Sequence, residues 1–264
     1  MKIMPAAHLD IDRDAVLKEA VDRIGRADAC ISAQRRNFLR RCLTLGGLSL
    51  LTGCTLTDER SVDMALSGIS RMNDKVQGWL FDPDRLAPTY PASAITRPFP
   101  FNAYYGEDEV RKVEESGYRL EVTGLVSDKR KWNLAALRAM PQTDQITRHI
   151  CVEGWSAIGR WGGVSFARFL RQVGADLSAK YVGFKCADDY FTSIDMPTAL
   201  HPQTLLTLTY DGQPLPPKYG FPMKLRMPTK LGYKNPKHIQ AIFVTNTYPG
   251  GYWEDQGYNW FGGS

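Results

Sequence analysis

No Cys-x-x-Cys-His haem-attachment motif occurs in the 264 residues. The five cysteines, Cys30, Cys42, Cys54, Cys151 and Cys186, are spaced for neither an iron–sulfur cluster nor a Cys-x-x-Cys redox pair. A chain without those relays has to exchange electrons, if it handles any, with a separate partner. No apolar run reaches the roughly 18–20 residues of a membrane span. Basic and acidic residues nearly balance beyond residue 53, so the body lacks the electrostatic footprint of a nucleic-acid binder. What is present is an ordinary globular composition, 43% hydrophobic and 23% charged. Sixteen prolines and six tryptophans point to a loop-rich, aromatically packed body.

Residues 1–53 have a different character. Arg35-Arg36-Asn37-Phe38-Leu39-Arg40-Arg41 is a twin-arginine pattern, followed over 42–51 by a weakly apolar stretch containing Gly46-Gly47. Together they resemble a twin-arginine export signal, the plain alternative being a short amphipathic helix with basic ends. The stretch ends at Leu51-Thr52-Gly53-Cys54, which has the form of a lipobox, or else lies near an ordinary signal-peptidase site. The expectation is a periplasmic protein held at the membrane by an acyl group on Cys54. The twin-arginine route carries folded proteins, often with a cofactor already inserted. After cleavage only Cys151 and Cys186 would remain as free thiols, to form one disulfide or to be kept apart because one holds a metal.

Residues 54–97 read as a tether. Met64, Leu66, Ile69, Met72 and Val76 fit a short helix within 61–80, and Pro83, Pro88 and Pro91 impose an extended passage after it. From 98 to 264 the pattern predicts a single mixed α+β domain. Strands are expected at 118–124, 145–150, 181–186, 190–195, 204–210 and 239–246, the pair turned by 187–189 forming a hairpin. Helices are expected at 133–140, capped by Asn133 and stopped by Pro141, and at 165–173, closed by Gly174. The glycine- and tryptophan-rich stretch after Cys151 breaks the pattern, and 214–238 reads as a long ordered loop. An aromatic tail from 248 to 261 is expected to cover one face.

Two stretches carry candidate chemistry. Cys151 stands at the end of the 145–150 strand, where by residue type alone it reads as a core thiol. Lys224, Arg226, Lys230, Lys234 and Lys237, interleaved with glycine and tyrosine, suit a phosphate or another anion, or simply a solvated basic loop.

Four motifs in order then match a known family: Asn-x-x-Tyr at 102–105, Cys-Val-Glu-x-Trp-Ser at 151–156, Tyr-Gly-Phe-Pro-x-Lys-Leu-Arg at 219–226, and Lys-Leu-Gly-Tyr-Lys-Asn-Pro-Lys at 230–237. From about residue 98 to 252 the chain resembles the sulfite oxidase superfamily of molybdopterin enzymes. Within it the likeness is greatest to the bacterial branch that includes the catalytic subunit of protein-methionine-sulfoxide reductase. The resemblance implies the sulfite-oxidase-type molybdopterin-binding fold, with mixed sheets, short helices and long loops. It implies a molybdenum–molybdopterin cofactor with Cys151 as the metal ligand, a role that suits a soft thiolate. It further implies that Asn102, Tyr105 and Gly106 contact the pterin and that Gly232, Tyr233 and Lys234 hold its phosphate, with Lys237 closing the same motif. Cys186, Tyr219 and Lys224 stand near the cofactor where that branch has threonine, asparagine and arginine; lysine keeps the charge without the guanidinium fork. Trp155 and Arg160 are expected beside the metal, Arg160 at the substrate funnel, with a surface arginine stacked on Trp161 as its alternative.

The resulting expectation is an envelope oxidoreductase performing two-electron oxygen-atom transfer, reducing a sulfoxide or N-oxide or oxidising a sulfite-type substrate. The substrate is small or protein-bound, and a membrane b-type cytochrome or a soluble cytochrome c is the redox partner. Against it stand a non-catalytic lipoprotein that kept the fold as a binding module, and a thiol–disulfide protein using Cys151 and Cys186.

Overall fold

The computed structural model describes residues 59–264, and the compact unit considered below is 63–264. The twin-arginine run, the apolar stretch after it and Cys54 lie outside the described residues. Among the described residues there are four α-helices, α1 (Glu59–Leu80), α2 (Leu134–Arg138), α3 (Phe166–Gln172) and α4 (Met196–Leu200). Nine strands follow the order β1 (Glu121–Gly124), β2 (Gln142–Ile150), β3 (Ser156–Ser165), β4 (Tyr181–Cys186), β5 (Phe191–Asp195), β6 (Leu205–Tyr210), β7 (Gln213–Pro214), β8 (Lys224–Arg226) and β9 (Ile239–Thr245). No described helix is long and apolar enough to cross a membrane.

The strands form two sheets. One has the order β1-β9-β4-β5, parallel between β1 and β9 and antiparallel elsewhere. The other runs β2-β3-β6-β7, with β8 also pairing β6. Leu120, Val122, Val164, Phe166, Phe184, Leu206, Leu225 and Ile242 belong to one continuous core, so both sheets and α3 share it. This is the mixed α+β architecture expected from the alternation of strands with short helices. The helix ends are also as expected: the Asn133 side chain accepts a hydrogen bond from the Ala136 amide, and Gly174 closes α3 with φ of 61°.

Three expectations are corrected. The stretch after Cys151 is not a break: residues 156–165 form β3, paired with β2 along its whole length from Gln142↔Val164 to Ile150↔Ser156. Its glycines hide the alternation because they serve contact rather than turning. A Cβ on Gly163 would stand 2.0 Å from the Leu206 carbonyl oxygen, at the point where the β3–β6 register shifts. The 214–238 loop contains a strand, β8, added to the edge of β6. The segment read as a tether is bonded along the body: Thr89 bridges Thr147, the Tyr90 amide donates to Ile146 and that of Thr96 to Ile158, and Gln203 holds the backbone of Ala87 at both its amide and its carbonyl.

Candidate active site

The β2–β3 hairpin presents the cysteine. Its connection spans 151–155, closed by the Cys151 amide donating to the Trp155 carbonyl and the Gly154 amide donating to Cys151. Gly154 has φ of 92°, a conformation that favours glycine. Beneath the hairpin lies an aromatic cluster of Phe99, Trp161, Tyr210 and Tyr219, whose rings meet mainly edge to face. Cys151 therefore stands on a rigid support, at the wall of a cavity of about 140 Å³. Asn102, Glu153, Asp188, Gly232 and Lys237 also line that cavity.

Burial pushes the Cys151 thiol up, opposed by the Glu153 amide and reinforced by its carboxylate. Sγ is 3.8 Å from Glu153 Oε2, and that carboxylate is anchored by the Trp155 indole N–H at 2.9 Å. With nothing bound, the thiol is the protonated form; a coordinated metal would remove the proton.

Behind the cysteine is a buried concentration of positive charge. Lys224 and Arg226 on β8 are buried, and Trp161 packs against both, 4.9 Å from Lys224 Nζ and 5.9 Å from Arg226 Cζ. The Arg226 guanidinium donates to the carbonyls of Arg148 and Met227 and to Asn235 and Thr147, none of them charged. Among the described residues the Lys224 ammonium has no hydrogen-bond or ion-pair partner. Burial, then repulsion from Lys237 and Arg226, holds it well below the usual lysine range, while Cys151 pulls the other way. Burial, followed by Lys224, Arg226 and Lys237, likewise keeps His149 well below the usual imidazole range. His149 is therefore neutral. Its Nε2 lies 3.4 Å from Asn102 Nδ2, and its Nδ1 is buried without a partner.

The candidate residues divide into two groups. Asn102, Cys151, Gly232, Tyr233 and Lys237 are brought together at the cavity, with Lys237 Nζ donating to the Asn102 carbonyl at 2.7 Å. Trp155 stands beside them, its ring 5.7 Å from that of His149. Lys224 is close behind, and Tyr105 reaches the wall through its hydroxyl, which donates to Asp188 at 2.8 Å.

The others are placed elsewhere. Arg160 does not border the cavity: its guanidinium pairs with Asp144 at 2.8 Å on an exposed face of the β2–β3 ladder. Lys234 turns inward to the Ser193 carbonyl and the Glu254 carboxylate. Tyr219 donates its hydroxyl to the Phe99 carbonyl, and Gly106 begins a short 3-10 turn at 107–109. Cys186 is buried on β4, its thiol pushed well up by burial and by Asp188. Cys151 and Cys186 are both free thiols. The basic loop is not solvated either: Lys224, Lys230, Lys234 and Lys237 are all buried.

His149, Glu153 and Asp188 were not among the residues singled out for the site, whereas Arg226 was, as one of the basic residues of the 214–238 loop. Two of the first three had a signal in the sequence. His149 is two residues before Cys151 on a strand, hence on the same face, and Glu153 lies inside the cysteine motif. Asp188 had none, because it reaches the cavity from the hairpin turn of the other sheet.

These residues fit a pterin-bound metal. Buried cations without carboxylates call for an anionic group, and a pterin that carries two metal-binding sulfurs and, separately, a phosphate is one. Gly232 keeps the cradle open, since a Cβ there would meet His149 Nε2 at 2.8 Å and Asn102 Nδ2 at 3.3 Å. No cluster of three or more His, Cys, Asp or Glu side chains suited to a metal occurs among the described residues. A metal at Cys151 would have to arrive with ligands of its own.

The fold is that of a molybdopterin-binding oxidoreductase. The chain belongs to the family described as the oxidoreductase molybdopterin binding domain, whose profile matches residues 107–253, within the sulfite oxidase superfamily. It is 72% identical over 251 residues, 95% of each chain, to a provisionally named protein-methionine-sulfoxide reductase subunit, YedZ1, of Azospira oryzae. It is 30% identical over 200 residues to the protein-methionine-sulfoxide reductase catalytic subunit MsrP of Ralstonia nicotianae, covering 64% of this chain and 60% of that protein. Against the sulfane dehydrogenase SoxCD of Paracoccus pantotrophus the superposition has a TM-score of 0.49, with 18% identity over 52% of this chain and 40% of that one.

Proposed function

We propose that the chain is the catalytic subunit of an envelope enzyme that carries molybdenum on a pterin and reduces sulfoxides, with methionine sulfoxide in proteins as the leading substrate class. The observation that carries the reading is a single thiol, Cys151, at the wall of a cavity backed by buried, carboxylate-free cations. The relatives, named as protein-methionine-sulfoxide reductase subunits, suggest the substrate class.

In this reading Cys151 is the protein's ligand to molybdenum, while Asn102, Gly232, Tyr233 and Lys237 hold the pterin. Lys224 and Arg226 offset its negative charge from behind. Neutral His149 keeps a second positive charge out of the cradle, and the Trp155–Glu153 contact fixes an ionisable carboxylate at the wall. The bound group supplies two-electron oxygen-atom chemistry; a sulfoxide takes up two electrons and two protons and leaves as sulfide and water. The electrons come from a separate cytochrome, either a b-type protein in the membrane or a soluble c-type one. Twin-arginine export and acylation of Cys54 would place the enzyme on the periplasmic side of the membrane.

The test is metal content and turnover of protein matured in a pterin-competent host. About one molybdenum per chain is expected, with methionine sulfoxide reduced at the expense of reduced viologen. Cys151→Ser should lower turnover at least about a hundredfold while the fold is kept. Well-folded wild-type protein without molybdenum would instead support the non-catalytic binding module.

A further inference from the structure

We infer that α1 lies on the surface of a lipid bilayer, with the apolar face formed by Ile69, Met72, Val76, Trp79 and Leu80 set among the headgroups. These positions recur at three- and four-residue spacing, so they share one face of the helix. A helix on a globular surface normally turns such a face inward; here the orientation is reversed. The polar side is the one attached to the body: Asp74 Oδ1 accepts from Asn259 Nδ2 at 2.7 Å and from the Phe261 amide at 2.8 Å. Gln77 Oε1 accepts from the Gly263 amide, and Gly78 lies by the Phe261 ring. The apolar side is left outward, from Val76 at 45% to Trp79 at 83% exposed, and Leu86 beyond the helix is exposed as well. Contiguous apolar surface of this kind marks a contact that the described residues do not make among themselves.

Charge and position select a bilayer as the occupant. Lys75, with Arg71 one turn before it, borders one side of the stripe and both are exposed, while the acidic residue of the described helical face, Asp74, is committed to the body. The outward side is thus apolar with a basic margin and an exposed tryptophan, the composition of an interfacial helix facing anionic headgroups. Two copies pairing through this face would instead bring the like charges of Arg71 and Lys75 together. Cys54 precedes Glu59 by five residues, at most about 18 Å of extended chain. An acyl group there would hold the helix at the interface. The inference goes beyond the proposed enzymatic function and does not require it, nor does it require the acylation.

The experiment uses the full chain as the cell processes it, added to or reconstituted with 3:1 phosphatidylethanolamine–phosphatidylglycerol vesicles carrying brominated acyl chains. Tryptophan emission should be quenched, and Trp79→Phe should remove most of that quenching. Met72→Glu combined with Val76→Glu, both at exposed positions, should reduce it at least about threefold with an unchanged Tm. Equal quenching in wild type and Trp79→Phe would overturn the inference, as would no quenching at all. So would unquenched protein that self-associates in solution until Val76→Glu is introduced, since the face would then belong to a second copy.

Discussion

Three lysines buried almost completely, Lys224, Lys230 and Lys234, illustrate how differently one residue type is accommodated in this chain. Lys234 is neutralised by Glu254, and Lys224 has no partner among the described residues. Lys230 donates to the Phe261 carbonyl at 2.9 Å and lies over the Phe261 ring, 3.0 Å from its centroid. Burial lowers Lys230 to about 7, with Asp195 opposing. Because the folded value is below the unfolded one of about 10.4, the unfolded chain holds the extra proton between those limits. Stability from this group therefore rises with pH from about 7 to about 10, by up to about 1.4 kcal/mol per pH unit. Below about 7 the full cost of a buried charge is present. Lys237, lowered to about 8, and Arg226, lowered to about 9, act in the same sense. Lys230→Met is expected to flatten, but not abolish, the rise in Tm between pH 6 and 10, with its largest gain over wild type at the acid end. Parallel Tm–pH curves would show that Lys230 does not titrate in this range.

The element that matters most is the β2–β3 hairpin, because it aims Cys151. Its legibility in the sequence was uneven. The β2 alternation was readable, and so were the β4–β5 hairpin, β6, β9 and the caps of α2 and α3, since each rests on local spacing or a local hydrogen bond. β3 was not readable. Gly159, Gly162 and Gly163 interrupt its apolar pattern, and their purpose, close approach of Trp161, of the Asp144 and Thr209 side chains and of the Leu206 backbone respectively, exists only once the sheet is assembled. Gly163→Ala tests this: its Cβ would meet backbone rather than a movable side chain. A loss of about 1–3 kcal/mol is expected, seen as a fall in Tm of roughly 2–12 °C. An unchanged Tm would mean that the β3–β6 junction relaxes freely. β8 was hidden for a related reason, since three residues are too few to show a period and its partner strand is distant in sequence.

On the scale of the whole molecule, the body is an oxidoreductase scaffold preceded by a segment with the marks of an export signal. If that segment acts through the twin-arginine translocase, a strain lacking the translocase should retain the unprocessed chain in the cytoplasm, read by fractionation and immunoblot. Undiminished export without it would remove the twin-arginine reading while leaving the site intact. The sequence by itself determined the α+β class, most strands and helix ends, and the motifs that mark Cys151 and its family. Those depend on local period, capping and residue type. Only the tertiary structure decided which basic residues serve the cavity. Lys237 and Lys224 are there, whereas Lys234 is neutralised by Glu254 and Arg160 pairs with Asp144 on the outer face of the ladder. Spacing along the chain does not record which oppositely charged group, brought from another element, reaches a side chain first. The same assembly brought Asp188 to the cavity and opened the core side of Cys151 to it. The cysteine's residue type allowed either a core thiol or a ligand, and packing alone left it at a cavity wall.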